Sequence, residues 1–339
     1  MSDQEVAADR LLSVRDLSKS FRVPGGRGQK LCALDGINLD LGRGETLGLV
    51  GESGCGKSTL ARTLMMLERP DSGTVSFDGI DPFGLRGKDL LKFRRRVQMV
   101  FQDPYASLNS RMKAGDIIAE PWRTHKTLHQ TKRDRDARVR ELLDLVGLGA
   151  KAADKYPQEF SGGQRQRIGI ARALALDPDV IICDEPVSAL DLSVQAQVLN
   201  LLNELQQQLQ ISYVFISHDL SVVRHVADRV SVMYLGRIVE TGPTEAVFDQ
   251  PNHPYTAALM SAAPKLDAAQ RGERVLLKGE VPSPLNPPSG CRFRTRCHEA
   301  TDVCAQERPP LALDLRVVGH IAECHHPLLD DHSELSRRA

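Results

Sequence analysis

The stretch Gly51-Glu-Ser-Gly-Cys-Gly-Lys57-Ser58-Thr59 leaves this chain few folds to adopt. Glycine, four free positions, then glycine, lysine and serine is the spacing of a loop that wraps a polyphosphate. Successive backbone N–H groups must curl around the phosphates, and glycines at both ends admit main chain where a Cβ would clash. Gly51, Ser53, Gly54, Cys55, Gly56, Lys57, Ser58 and Thr59 are thus the candidate contacts to such a group. Lys57 reaches terminal phosphates as a point charge, and the Ser58 hydroxyl is a candidate Mg²⁺ ligand. Such a loop sits between a strand and a helix. Leu47, Leu49 and Val50 supply a buried strand, and Thr59 to Leu67 read as the helix, its N-terminus favouring negative charge.

Length and charge narrow the rest. A chain of 339 residues holds one large domain with a smaller one, or two ordinary domains. Lys+Arg and Asp+Glu both count 44, so no bulk charge draws the chain to nucleic acid. No apolar stretch approaches the roughly 18 residues of a membrane span. The acidic first residues do not resemble a signal peptide, which predicts a cytoplasmic protein. Seven cysteines in that compartment point to metal ligands or buried thiols rather than disulfides.

From Leu11 to Leu41 a loose alternation, with turn signals at Pro24-Gly25-Gly26 and Asp35-Gly36, predicts antiparallel strands. Phe21 in this region is either a platform for a nucleotide base or an ordinary packed aromatic. Gly73 to Gly79 reads as strand and turn, Val97 to Phe101 as a strand ending at Gln102, and Arg94-Arg95-Arg96 as a solvated helix face. From Asp103 to about Phe160 the texture is helical, with Val139, Leu142, Leu143 and Val146 forming one stripe. Ser161-Gly162-Gly163-Gln164 then opens a helix. It is a second candidate anion site, although a serine at a helix start also serves simply as a cap.

Val180-Ile-Ile-Cys183 is a continuous apolar run, as in a central parallel strand, and it ends in Asp184-Glu185-Pro186. Asp184 at that tip is placed to join a Mg²⁺ shell, and Glu185 to orient or deprotonate an attacking water. Cys183 reads as core. Asp191 precedes a helix with apolar positions from Val194 to Leu209, and Tyr213-Val-Phe-Ile216 is a further strand with His218 beyond its end. A tight turn is expected at Leu235-Gly236 and a boundary near Gln250. Val281 to Gly290 should be extended, and Leu328 to Ala339 should be a polar, frayed end.

In this order the segments resemble the ATP-binding cassette of ABC transporters, over about residues 11 to 250. The resemblance implies a P-loop NTPase of α/β class, with a RecA-like core, an antiparallel β subdomain and an inserted α-helical subdomain at about 103–165. It makes Gly51 to Thr59 the Walker A loop, Gln102 the Q-loop glutamine and third Mg²⁺ ligand, and Val180 to Asp184 Walker B. Glu185 becomes the catalytic glutamate, His218 the switch histidine and Phe21 the adenine-stacking aromatic. Ser161, Gly162, Gly163 and Gln164 become the signature which, with Asp191 of the D-loop, closes on ATP held by a partner ATPase.

Asn252-His-Pro-Tyr-Thr-Ala-Ala-Leu259 and the proline-broken, cysteine-bearing tail (residues 251–339) are similar to the C-terminal extension of dipeptide/oligopeptide and nickel importer ATPases. Cys183 to Asp191 and Gln164 resemble the second of the two paralogous ATPase subunits of such systems. Expected partners are therefore the paralogous subunit in a heterodimer, two transmembrane permease subunits and, through them, an extracytoplasmic peptide-binding protein. The expected location is the cytoplasmic face of the inner membrane. Nickel cargo, a soluble ABC protein working on ribosomes or DNA, and a regulatory module whose tail senses redox state or iron are the alternatives.

Cys291, Cys297, Cys304 and Cys324 leave gaps of five, six and nineteen residues. Four thiols in a poorly cored segment suggest a metal staple. The resemblance favours a [4Fe–4S] cluster. Zn²⁺, with His325 or His326 as substitute ligand, and free reduced cysteines are the other readings.

Overall fold

The structure is a computed structural model that describes residues 10–262 and 277–328, apart from positions 24, 26, 27, 104 and 278. Strands β1 (Arg10–Arg22) and β2 (Lys30–Gly42) pair antiparallel along almost their whole length. Strand β3 (Thr46–Val50) leaves this ribbon to start a second sheet, while β4 (Ser72–Phe77) returns to the free side of β1. The predicted turn at 24–26 lies mostly outside the described residues. Asp35-Gly36 is not a turn: it lies within β2 at an irregularity in the register, where Gly36 takes φ 64°. An extra residue in one strand needs that conformation, and it carried the same sequence signal as a hairpin turn.

The second sheet adds β5 (Val97–Val100), β6 (Val180–Asp184), β7 (Ser212–Ile216), β8 (Arg229–Tyr234), β9 (Arg237–Pro243), β10 (Leu311–Leu313) and β11 (Ile321–Glu323). Its order is β10-β11-β9-β8-β3-β7-β6-β5. From β8 to β5 the neighbours are parallel. Parallel strands are covered on both faces, so β6 and β7 read as unbroken apolar runs: Val180 to Cys183 and Tyr213 to Ile216 are at most 2% exposed. Leu235 and Gly236, both at positive φ, make the tight turn from β8 to β9.

Helix α1 (Lys57–Leu64) follows the glycine loop, starting two residues before the predicted position and ending sooner. Helix α2 (Gly87–Arg96) ends in the arginine run, which is not simply a solvated face. Arg96 is ion-paired to Asp78 and Asp179 and lies over the Phe77 ring, and Arg95 donates to the Leu176 carbonyl. The helical stretch contains α3 (Ala114–Ala119) and α4 (Lys132–Leu145), followed by α5 (Gly162–Leu174). Val139, Leu142, Leu143 and Val146 are buried as the periodicity predicts, and buried Trp122 donates its indole N–H to the Ala175 carbonyl at 2.7 Å. Helices α6 (Leu192–Leu209) and α7 (Leu220–Val226) complete the main body, and α8 (Pro254–Ala262) opens the segment that follows β9. Among the described residues, no helix is long and apolar enough to cross a membrane.

The segment after β9 is joined to the sheet. β11 pairs with β9 through Ile321–Thr241 and Ala322–Glu240. Tyr234, Tyr255 and Phe293, all at most 1% exposed, pack with ring centroids 4.6–5.3 Å apart. Beneath them buried Glu240 accepts the backbone N–H groups of Asn252 (2.6 Å) and His253 (2.9 Å), and lies 2.7 Å from His320 Nε2. Val281 to Gly290 form no helix or strand, and a turn interrupts them near 284. Residues 329–339 lie outside the described residues.

Candidate functional site

The loop of residues 51–56 leaves the buried end of β3 and delivers the chain into α1. Gly51 and Gly56 are required there by contact as well as by conformation. They take φ 152° and 113°, and a Cβ on them would collide with the Met233 and Ala33 carbonyls. Lys57 is 6% exposed and donates to the carbonyls of Gly51 (2.7 Å) and Glu52 (3.0 Å), so its ammonium lies against the loop. The Cys55 thiol packs beside it and is pushed up by burial, against the pull of the Lys57 charge.

Beside this loop β6 ends at Asp184. The Ser58 hydroxyl lies close enough to the Asp184 carboxylate to favour the charged form slightly. Burial and then the neighbouring Glu185 charge raise the Asp184 pKa above the ordinary carboxylate value, although Arg62 and Lys57 pull it down. Arg62 was not singled out from sequence. It belongs to a helix face that carried no motif.

Glu185 has a left-handed backbone, φ 47°, a conformation that costs a non-glycine residue about 1–2 kcal/mol. Its N–H donates to the Ile216 carbonyl, and its two carboxylate oxygens face different residues. Gln102 Nε2 donates to one at 2.7 Å, and His218 Nδ1 lies 3.1 Å from the other. The ends of β5, β6 and β7 thus bring together three residues, Gln102 lying 83 positions before Glu185 and His218 33 positions after it. Cys183, one residue before Asp184, is fully buried and its thiol is pushed strongly upward by burial, as suits core rather than a nucleophile.

Ser161 caps α5: its hydroxyl accepts the Gln164 N–H, and Gln164 Oε1 accepts the Ser161 N–H at 3.0 Å. Gly162 and Gly163 press this helix start onto Leu190 and Val194, and a Cβ on Gly163 would overlap the Val194 side chain. Asp191 caps the adjoining α6 by accepting the Val194 N–H (3.0 Å) and the Ser193 hydroxyl. The serine-glycine-glycine segment therefore lies against Leu190 and Val194, the residues that flank Asp191. Phe21 lies on the β1–β2 ribbon, half-buried, with Lys19 Nζ 5.3 Å from its ring centroid.

The expectation of a metal centre on Cys291, Cys297, Cys304 and Cys324 is overturned, for the iron–sulfur and the zinc reading alike. Among the described residues, no group of three or more His, Cys, Asp or Glu side chains is arranged to hold a metal ion. All four are free cysteines. Burial pushes the Cys297 thiol up to about 11 and that of Cys324 up to about 12, which favours protonated thiols. The two substitute ligands are engaged elsewhere: His326 Nε2 with the Thr301 hydroxyl at 2.8 Å, and His325 Nε2 with the Glu307 carbonyl at 3.2 Å. The segment has no need of a staple, because the aromatic cluster, Glu240 and the β11–β9 pairing already fasten it.

Comparison with known proteins agrees with this geometry. The family model described as ABC transporter matches residues 34–188, and that of the oligopeptide/dipeptide transporter C-terminal region matches residues 239–304. The chain is 50% identical to the oligopeptide transport ATP-binding protein AppF of Bacillus subtilis (strain 168), over 94% of this chain and 97% of that protein. It is 51% identical to the dipeptide transport ATP-binding protein DppF of Escherichia coli (strain K12), over 92% and 94%. Among solved structures, the post-hydrolysis dimer of the ATP-binding cassette MJ0796 with ADP and Pi superposes with a TM-score of 0.61. It is 29% identical, over 69% of this chain and 98% of that one. The phosphate loop, the carboxylates at the end of β6 and these relatives together place the chain in the ABC transporter family of ATPases, among the members that carry the oligopeptide/dipeptide transporter C-terminal region.

Proposed function

We propose that this chain is the ATP-hydrolysing subunit of an importer of dipeptides or oligopeptides. The observation that carries the hydrolytic part of the reading is the grip of Gln102 and His218 on the two Glu185 oxygens, beside the phosphate loop. That arrangement fixes a carboxylate in the orientation a general base needs. Glu185 accepts a proton from the attacking water, His218 and Gln102 hold its carboxylate in line, and Lys57 offsets charge on the terminal phosphates. The backbone N–H groups of the loop, with Ser53, Gly54, Cys55, Gly56 and Thr59, cradle the polyphosphate, and Phe21 stacks on the base. Ser58, Asp184 and Gln102 offer oxygen donors of the kind Mg²⁺ prefers, and the Glu185 charge beside half-buried Asp184 adds to the negative potential that would attract such a cation. Bound there, Mg²⁺ supplies positive charge to the phosphate oxygens.

The capped segment of Ser161, Gly162, Gly163 and Gln164, with Asp191, faces the nucleotide of a second cassette in this reading. The dimeric state of the solved relative supports it, and we assign the second cassette to a paralogous ATPase subunit. Residues 1–250 are the nucleotide-binding unit, with a helical subdomain at about 103–165, and residues 251–339 form a small extension bearing four free thiols. The names of the relatives support peptide as cargo. Closure of the two cassettes on ATP drives two permease subunits, and an extracytoplasmic binding protein delivers the peptide to them. The chain then sits on the cytoplasmic face of the membrane as a peripheral subunit.

Reconstitution with its paralogue, permeases and binding protein in vesicles tests this. ATP hydrolysis should rise when peptide-loaded binding protein is added, with uptake of labelled peptide. A chain that hydrolyses ATP yet never assembles with permeases, and sediments with ribosomes instead, refutes the transport reading.

A further inference from the structure

Glu52 is the second residue of the phosphate loop, and the polar groups of this one residue are divided between the loop and the C-terminal segment. Its carbonyl accepts from Lys57 Nζ at 3.0 Å, within the loop. Its backbone N–H donates to the Tyr255 hydroxyl at 3.0 Å. Its carboxylate accepts two hydrogen bonds from the Arg296 guanidinium, at 2.7 and 3.0 Å. Tyr255, in α8, and Arg296 come from two separate parts of the segment after β9, 203 and 244 residues from Glu52. Both are built in: Tyr255 is fully buried against Tyr234 and Phe293, and the Arg296 side chain is 6% exposed.

A carboxylate in a loop meant for a polyphosphate is an electrostatic liability, because it repels the charge that the lysine and backbone N–H groups attract. A fork-to-fork guanidinium partner cancels that charge and fixes the direction of the side chain. The tyrosine hydroxyl meanwhile pins the backbone one residue after Gly51, where the loop turns.

We propose that the C-terminal segment is a working part of the nucleotide site: Tyr255 and Arg296 are positioning residues that hold Glu52, and Arg296 removes a charge that would oppose ATP. This rests on the reading of the loop as an ATP site. It gives the segment a role in every catalytic cycle, and it gives the tyrosine of Asn252-His-Pro-Tyr255 a specific task.

The test is the affinity of the full chain for Mg²⁺–AMP-PNP, measured by calorimetry. Arg296→Met should weaken binding about tenfold, an effect of the size expected for one unpaired charge near a polyphosphate. Tyr255→Phe, which removes one hydroxyl from an otherwise unchanged ring, should weaken it about threefold, as for one lost hydrogen bond. The decisive variant is Glu52→Gln combined with Arg296→Met. It carries no carboxylate to neutralise, so it should recover most of the affinity lost in Arg296→Met. A purely structural arginine predicts no such rescue. Wild-type affinity in Arg296→Met, or a double variant no tighter than Arg296→Met, overturns the proposal. If Arg296→Met fails to fold, Tyr255→Phe decides, and unchanged affinity there is equally fatal. Wild-type protein that binds no AMP-PNP, and so does not differ from Lys57→Ala, would instead sink the ATP reading itself.

Discussion

Replacing Glu240 by glutamine measures how the C-terminal segment is fastened to the sheet. Glu240 is 1% exposed on β9, and its carboxylate meets the Asn252 N–H, the His253 N–H and His320 Nε2 within 2.6–2.9 Å. A bond to a charged acceptor contributes roughly 1.5–3 kcal/mol, and a buried donor left without one costs a similar amount. Glutamine keeps one carbonyl oxygen but turns an NH₂ toward a donor, so one to two of the three interactions fail. Relief of carboxylate desolvation returns part of that loss. The net expectation is about 2–4 kcal/mol, felt where the segment opens rather than across the whole chain. Native-state hydrogen exchange reads this directly. Protection of the amides in α8 and β11 should fall by that amount in Glu240→Gln, while amides of β3 and β7 keep theirs. The exposed pairs of Arg224 with Glu245 and Asp249 provide the control, since Glu245→Ala should cost under about 0.5 kcal/mol. A loss below about 1 kcal/mol in α8 and β11 on Glu240→Gln would refute the reasoning, for it would mean that the three contacts are replaceable by water.

Three further outcomes follow from named groups. Glu185→Gln should cut ATP hydrolysis by about 10²–10⁴ while AMP-PNP binding is kept, as expected of a lost base; equal losses of both would argue against that role. Burial holds the His253 imidazole down at about 4, against the opposing pull of Glu240, so the unfolded chain takes the proton first. Stability should therefore be full above about pH 6.5 and fall towards pH 4, by up to about 1.4 kcal/mol per pH unit. His253→Asn should flatten that part of a urea-unfolding profile, and an unaltered profile would exclude His253 as the cause. The thiols of Cys297 and Cys324, pushed up to about 11 and about 12, should react with iodoacetamide at pH 8 more than ~100-fold slower than a free thiol. Peptide mass spectrometry of timed samples checks this, and rapid labelling at both would contradict their burial.

What the sequence determined by itself is local and periodic. A loop that wraps phosphate needs its glycines, lysine and hydroxyl at fixed spacing. A buried parallel strand needs an unbroken apolar run, and an amphipathic helix needs its stripe. So Gly51 to Thr59, Val180 to Asp184, and Val139 to Val146 were legible in order. The tertiary structure decided everything that depends on which distant groups meet. It set Gln102 and His218 on the two oxygens of Glu185, which no spacing dictates, and turned Asp35-Gly36 from a turn into a bulge. It drew Arg95 and Arg96 into contacts that a charge run does not reveal. It also corrected the tail. Four cysteines carry the same composition whether or not they converge on an ion, and the cohesion credited to a metal is supplied by Tyr234, Tyr255, Phe293 and Glu240. Arg296 had no sequence signal at all, because the carboxylate it holds lies 244 residues away, and only the folded chain closes that distance.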